Sequence, residues 1–240
     1  RRRDITAIRG LSERGRSSIS GNSSYTAGRI SEVYGVPSGV LLPSVVSDEF
    51  PENAGEEEPA GVGGMQGEYV VSVGRASWVK GTWETITMLS GSGVSLAHVG
   101  GGDEEDLRKL AEHAEAEGVG IWFAPRLSSP ELASLYRGAL AVVSMAHGEP
   151  FGLTPIEAQS VGTPAIFVDE GGFRETVSDG VSGRLLPRDG IDQWHLALTE
   201  ARDPENRSSW SANGRASISE AGLDPEGHCD RLVRILHQLI

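Results

Sequence analysis

Two glutamates near the middle of the chain, Glu149 and Glu157, lie eight residues apart on a segment that could bind a small ligand. The segment connects two apolar stretches, residues 140–144 and Ala165–Val168, which the pattern predicts to be buried strands. In an α/β sheet, ligands bind on the loops that follow the carboxyl ends of the strands. Gly152 would let a ligand approach the backbone closely, and the free N–H groups of the next helix would attract an anion. Both carboxylates could therefore face one ligand.

Each glutamate also has an explanation that involves no ligand. Thr154, Pro155 and Glu157 match a capping box, with threonine as the N-cap, proline as the first helical residue and glutamate as the third. Glu149 stands beside Pro150 and has no such structural role, so it is either solvated or holding a ligand. The residue types alone leave both alternatives open.

A pair of cations follows the first regular strand. Gly74 and Arg75 come directly after the strand Tyr69–Val73, and Lys80 and Gly81 close the same loop. A diphosphate suits such a loop, because arginine can bridge two oxygens while lysine acts as a point charge. The alternative is a solvated loop with an arginine at the strand end.

The run around the two glutamates resembles a known family. The stretch from Glu149 to Glu157, EPFGLTPIE, is similar to the E-x7-E signature of family-4 retaining glycosyltransferases, which have the GT-B fold. The continuations AQSVGTP, EGGFRETV and DGVSG are also similar to that family. The resemblance implies that Glu149 holds the donor sugar near the reacting carbon and that Glu157 binds the ribose hydroxyls. It further implies that backbone N–H groups of Phe151, Gly152 and Leu153 meet the sugar and the phosphate.

The same resemblance extends to two basic loops. The Gly-Arg and Lys-Gly pairs that include Gly74, Arg75 and Lys80 resemble the pair that binds the donor phosphates. Arg126, which follows the third predicted strand, would contact the nucleobase, or else it is a surface arginine. No Asp-x-Asp pair occurs in the sequence, so we expect metal-independent chemistry and no cofactor. The resemblance implies a nucleotide-diphosphate sugar as the substrate.

Composition excludes several classes of partner. A formal charge of −13 and a pI near 4.9 argue against non-specific binding of nucleic acid or anionic membranes. Only two of the 21 basic residues are lysines, Lys80 and Lys109, which suggests a high-salt environment, although ordinary acidic bacterial proteins are similar. The single cysteine, Cys229, allows no intrachain disulfide.

No apolar run is long enough for a membrane span, so we expect a cytoplasmic protein. Peripheral contact with a lipid-linked acceptor is a second possibility.

The chain divides into three parts. Residues 1–20 show no clear period, and residues 22–43 resemble the last βα unit of the family's acceptor-binding domain, so residues 1–50 are interpreted as a remnant of that domain. Residues 51–67 are rich in Gly, Pro and Glu and are predicted to form a linker. Residues 68–240 alternate strand and helix patterns, which predicts an α/β fold: a Rossmann-like parallel sheet with helices on both faces. Strands are expected at 39–43, Tyr69–Val73, 94–99, 119–123, 140–144, Ala165–Val168 and Gly183–Leu186. Helices are expected at 25–34, capped by Ser23 or Ser24 and ended by Gly35, and at 82–90, Glu104–Glu117, 130–137, 155–161, 173–177, 191–200, 204–219 and 225–239.

These features predict the donor-binding part of a retaining glycosyltransferase that transfers a hexosyl group from a nucleotide-diphosphate sugar. A complete enzyme of this fold would need roughly 100–200 further residues for its acceptor domain. The alternative is a non-catalytic nucleotide-sugar-binding module or subunit, which would need a separate acceptor-domain partner. The sequence does not identify the nucleotide, the sugar or the acceptor.

Overall fold

Strands and helices alternate from Tyr69 to Leu186, and three helices follow, as the sequence predicts. A computed structural model describes residues 2–14, 17–45 and 67–239. The strands are β1 Ser20–Gly21, β2 Gly39–Val40, β3 Tyr69–Val73, β4 Ser95–Val99, β5 Ile121–Phe123, β6 Ala141–Ser144, β7 Ala165–Val168 and β8 Gly183–Leu186. The α-helices are α1 Arg2–Glu13, α2 Ser24–Tyr34, α3 Thr82–Leu89, α4 Glu104–Glu117, α5 Ser129–Gly138, α6 Leu153–Ser160, α7 Phe173–Thr176, α8 Ile191–Arg202, α9 Pro204–Glu220 and α10 Pro225–His237.

Six of the strands form one parallel sheet in the order β5-β4-β3-β6-β7-β8. The chain runs outward from β3 through β4 to β5, returns to place β6 beside β3, and then continues outward in the opposite direction. The order of connection therefore reverses between β3 and β6. At such a reversal the loops after the two strands diverge and leave a crevice, where doubly wound folds bind ligands.

The core lies on both faces of the sheet. Val71 on β3, Val142 on β6 and Ile166 on β7 are fully buried. Helix residues such as Ile86 and Trp194 are also buried and belong to the same apolar cluster. Parallel strands covered on both faces become nearly continuous apolar runs, which explains why their positions could be predicted within one or two residues.

The segment before the sheet contains a helix that the sequence analysis did not predict. Residues 1–20 showed no clear period, but the structure forms α1, so that interpretation was wrong. Three apolar residues recur at a spacing of three along α1: Ile5 and Ile8 are partly buried, and Leu11 is 49% exposed. The Arg9 Nε donates to the Tyr34 carbonyl at 2.6 Å. A helix of this length also depends on tertiary contacts.

Helix α2 begins at Ser24, one residue before the expected start, and ends at Tyr34 as expected. Ser23 caps the helix by accepting a hydrogen bond from the Thr26 N–H, and Gly35 ends it in the left-handed conformation (φ 66°). The expected strand at 39–43 shortens to Gly39–Val40, which pairs with β1.

The residues that follow α2 pack against the sheet domain. Leu42 and Val45 contact an apolar cluster of Phe151, Ile156 and Leu223. The Val45 N–H donates to the Leu223 carbonyl at 2.7 Å. This contact brings the segment beside the loop that carries Glu149. The predicted linker, apart from Gly67, lies outside the described residues.

No helix within residues 2–14, 17–45 and 67–239 is both long and apolar enough to cross a membrane.

Candidate functional site

A cleft of about 450 Å³ opens where the sheet reverses direction, at the carboxyl ends of β3 and β6. Its volume falls in the range of small-molecule sites. Loop residues from both strands line it, together with residues from α5, α7 and the N-terminal segment. The lining residues are Asn22, Pro43, Val73, Gly74, Lys80, Leu132, Ser144, Glu149, Pro150, Phe151, Gly152, Leu153, Thr154, Glu157 and Phe173. Seven of the nine residues predicted to form the site therefore meet in one cleft.

An ion pair joins the two loops across the cleft. The Lys80 Nζ lies 2.9 Å from a carboxylate oxygen of Glu149, and the two side chains are 37% and 19% exposed. Partial burial strengthens the attraction relative to a fully solvated pair. The pair presents one cation and one anion side by side, so it can meet a ligand that carries an anionic group next to hydroxyl groups.

Glycine fixes the position of the Lys80 loop. Residues Trp78–Lys80 form a single 3₁₀ turn that ends at Gly81, whose φ is 65°. A Cβ at Gly81 would lie 2.0 Å from the Met145 carbonyl oxygen, so only glycine allows the loop to pack on the end of β6. This close approach brings Lys80 next to the loop that follows β6.

The Glu149 loop is held from the side of β7 by a pair of glycines. The Gly172 N–H donates to the Glu149 carbonyl at 2.7 Å. A Cβ at Gly171 would lie 2.6 Å from the same carbonyl oxygen. Both glycines belong to the EGGFRETV stretch, whose family resemblance implied no role for them. The signal that could have indicated this role is a Gly-Gly pair in the loop after a buried strand.

The capping box predicted for α6 is wrong. The helix begins at Leu153 with Gly152 as its N-cap, and the structure shows no side-chain cap there. Gly152 adopts φ 88°, and a Cβ at this position would lie 2.7 Å from the Phe173 ring. Helix α6 therefore begins at Leu153, before the start at Pro155 that a Thr154 cap predicts. The first N–H groups of the helix border the cleft.

Glu157 therefore does not cap α6. Its carboxylate accepts a hydrogen bond from the Tyr136 hydroxyl at 3.0 Å. Tyr136 is fully buried, and burial, together with the nearby Glu157 charge, raises the pKa of its hydroxyl well above the usual value. The tyrosine is thus a permanent donor that orients the carboxylate at the cleft wall.

The residues between the glutamates contribute differently. Phe151 is buried, with its ring in the small cluster that contains Ile156 and Leu223. Its side chain is part of the core, so a contact with a ligand in the cleft falls to its backbone. Leu153, in contrast, is 46% exposed at the cleft.

Arg75 and Arg126 do not meet the other seven residues. Both are exposed, and neither is among the described residues that line the cleft. Arg75 extends from the same loop as Lys80, whereas Arg126 follows β5 at the edge of the sheet. Their roles stay predictions.

Arg188 is a supporting residue that the sequence analysis missed. Its guanidinium forms two hydrogen bonds with the Glu170 carboxylate, at 3.0 and 2.8 Å. It also donates to the carbonyls of Met145 and Ala146, at 2.6 and 3.3 Å. The arginine thereby secures the end of β6 and the start of the loop after β7. No local motif marks it, since its partners lie far away in the sequence.

Within the described part of the chain, no three His, Cys, Asp or Glu side chains are grouped as a metal ion would require. Metal independence itself stays a prediction.

The sequence and the fold both match known proteins. A family described as Glycosyl transferases group 1 matches residues 57–217, and the chain belongs to this family. Its six-stranded sheet with surrounding helices corresponds to a Rossmann-like domain of the GT-B fold.

Two solved structures illustrate the fold. Sucrose-phosphate synthase from Thermosynechococcus elongatus matches 92% of this chain and 58% of its own, with a TM-score of 0.76 and 22% identity. Anabaena Alr3699/HepE, crystallised in complex with UDP and glucose, matches 97% of this chain and 67% of its own, with a TM-score of 0.78 and 18% identity.

Among curated proteins, the chain is similar to D-inositol 3-phosphate glycosyltransferases. The protein of Kribbella flavida is 35% identical over 132 residues, which cover 52% of this chain and 30% of that protein. The protein of Frankia alni is 41% identical over 136 residues, which cover 52% and 33%. The chain thus spans about a third of the length of these relatives.

Proposed function

We propose that this chain is the donor-binding part of a retaining glycosyltransferase that uses a nucleotide-diphosphate sugar. The observation that carries the proposal is the Lys80–Glu149 ion pair in the cleft between β3 and β6. The pair lies beside the first turn of α6, whose N–H groups favour an anion. The HepE complexes with UDP and with UDP-glucose have the same fold, which makes uridine nucleotides the first ligands to test.

In the proposed complex, the diphosphate takes the place of Glu149 as the partner of Lys80. Arg75, exposed on the same loop, adds a second cation. The bond between the anomeric carbon and the diphosphate oxygen breaks, and negative charge builds on the departing diphosphate. Cations and N–H groups already in place stabilise that charge without reorganisation.

Glu149 is released from Lys80 by the same exchange. Its carboxylate then faces the sugar and stabilises positive charge at the anomeric carbon. The acceptor hydroxyl oxygen forms the new bond to the anomeric carbon with retention of configuration, and its proton passes to the departing diphosphate. We propose that Glu157, oriented by Tyr136, binds the ribose hydroxyls, and that Arg126 contacts the base.

The test is a calorimetric titration of the chain with a panel of nucleoside diphosphates and their sugars. High salt suits the acidic composition, because screening reduces self-repulsion. We expect the nucleotides of one base to bind saturably. Their affinity should be weaker in Arg75→Ala and should not change when a chelator removes divalent metals. Strict metal dependence would contradict the proposed chemistry. If the chain binds no nucleotide at all, the proposal that this chain forms the donor site would be refuted, in favour of a module that needs its partner domain.

A further inference from the structure

Segment 22–26, at the start of α2, contacts the Glu149 loop (residues 148–151) from the side opposite the glycine pair. The Ser23 hydroxyl, which is fully buried, donates to the Pro150 carbonyl, and the Thr26 hydroxyl lies 3.1 Å from the same oxygen. A Cβ at Gly148 would lie 2.8 Å from the Tyr25 hydroxyl oxygen. The loop around Glu149 is therefore held on two sides, by the glycines after β7 and by the first turn of α2.

One side chain joins these two sides. Glu175 on α7 points its carboxylate at the N-terminus of α2, where it accepts the Ser24 N–H at 2.9 Å and the Tyr25 N–H at 3.1 Å. A carboxylate is well suited to this place, because it satisfies N–H groups that the helix leaves open and complements the helix dipole. Its own helix begins directly after Gly172, which bonds to Glu149.

We propose that Glu175 is a positioning residue for the donor cleft. By tying α7 to α2, it closes a frame around residues 148–151 and keeps Glu149 at a fixed distance from Lys80. The same frame holds Asn22 in the cleft wall. This inference rests on the proposed function, because it assumes that the cleft beside residues 148–151 is the donor site.

Loss of the Glu175 contact should affect residues beyond its immediate neighbours. Removing a solvated carboxylate changes only its neighbourhood, whereas removing Glu175 frees segment 22–26, on which the Pro150 carbonyl depends. The disturbance should therefore reach the Glu149 loop, which Glu175 does not itself touch in any described hydrogen bond.

Hydrogen exchange of the full chain, read by mass spectrometry, tests this in the absence of any ligand. In Glu175→Ala we expect amide exchange on the order of tenfold faster in both segments, 22–27 and 147–153. Glu175→Gln should fall between this variant and the wild type, because its amide oxygen can still accept one of the two N–H groups. Arg174→Ala is the matched control: this exposed neighbour on α7 bonds to Asp169 and not to α2.

Faster exchange confined to segment 22–27, with wild-type rates at 147–153, would overturn the proposal. If Glu175→Ala does not fold, Ser23→Ala breaks the other end of the same frame. It should then accelerate exchange at 147–153, and wild-type rates there would equally overturn the proposal.

A second readout separates positioning from general destabilisation. With a donor that the wild type uses, Glu175→Ala should lower kcat for donor consumption at least tenfold. The KM for the donor should change by less than about threefold, and Glu175→Gln should recover part of the rate. An unchanged kcat would contradict the positioning role. A wild-type chain that binds no nucleotide would refute the proposed function, while the exchange experiment would still decide whether the frame exists.

Discussion

Removing the Lys80 ammonium tests the proposed phosphate site most sharply. Lys80 is half-buried and already bonded to Glu149 at 2.9 Å, so a diphosphate would exchange one anionic partner for another. A hydrogen bond to a charged group contributes about 1.5–3 kcal/mol. Because the lysine gives up an existing partner on binding, the attractive part of the loss should lie near the lower end, about 1.5 kcal/mol.

A second effect adds to this loss. In Lys80→Ala the partly buried Glu149 carboxylate has no cation beside it and faces the incoming diphosphate directly. Like charges at close range repel, so the total should approach about 2–3 kcal/mol, or roughly 30- to 150-fold in Kd. The double variant Lys80→Ala, Glu149→Gln removes this repulsion and should recover part of the affinity.

Calorimetry with the nucleoside diphosphate that binds the wild type measures all three proteins. Lys109→Ala is the matched control, because the other lysine of the sequence is exposed on α4 and pairs with Glu105. Its affinity should equal that of the wild type. An unchanged Kd in Lys80→Ala would refute the phosphate site. A double variant no better than the single one would refute the repulsion argument.

Three further predictions concern other groups. Glu149→Gln should reduce transfer by roughly 100-fold or more while nucleotide binding stays unchanged or becomes tighter, measured by turnover and calorimetry. Tyr136→Phe should lower the free energy of unfolding by about 1 kcal/mol and weaken nucleotide binding several-fold, since the hydrogen bond from Tyr136 to the Glu157 carboxylate is lost. Burial lowers the pKa of His98 to about 4 from 6.5. The unfolded chain therefore takes up this proton at a higher pH than the folded chain, and stability should fall by roughly 3 kcal/mol as the pH drops from 6.5 to about 4.

Each of these predictions has a specific control. Unchanged turnover in Glu149→Gln would contradict its role at the sugar. Tyr69→Phe removes another buried hydroxyl, which donates to the Leu135 carbonyl at 3.0 Å, so it should lose similar stability without affecting nucleotide binding. His98→Gln should flatten the stability profile between pH 6.5 and 4 in urea denaturation, and an identical slope in variant and wild type would exclude His98 as its source.

The strands and most helices could be predicted because their signals are local. A buried parallel strand such as β7 is a short apolar run between turn residues, and α2 is bounded by Ser23 and Gly35. The pairing of Lys80 with Glu149 was not predictable from spacing, since 69 residues separate them. The sequence predicts only that the two loops lie near each other, because the carboxyl ends of parallel strands share one edge of the sheet.

Other features depend on tertiary contacts that no local pattern reveals. The capping box failed because the fit of Gly152 against the Phe173 ring, rather than the threonine, decides where α6 begins. Arg188 and Glu175 bond to residues more than 40 positions away, so their roles appear only in the folded chain.

The central claim is that the cleft between β3 and β6 binds the diphosphate of the donor. A crystal structure of the chain with the nucleoside diphosphate that titrates most tightly tests it directly. We predict diphosphate oxygens within hydrogen-bond distance of the Lys80 Nζ and of the backbone N–H groups that begin α6, with Glu149 no longer bonded to Lys80. A nucleotide bound elsewhere, with the Lys80–Glu149 pair intact, would contradict the account.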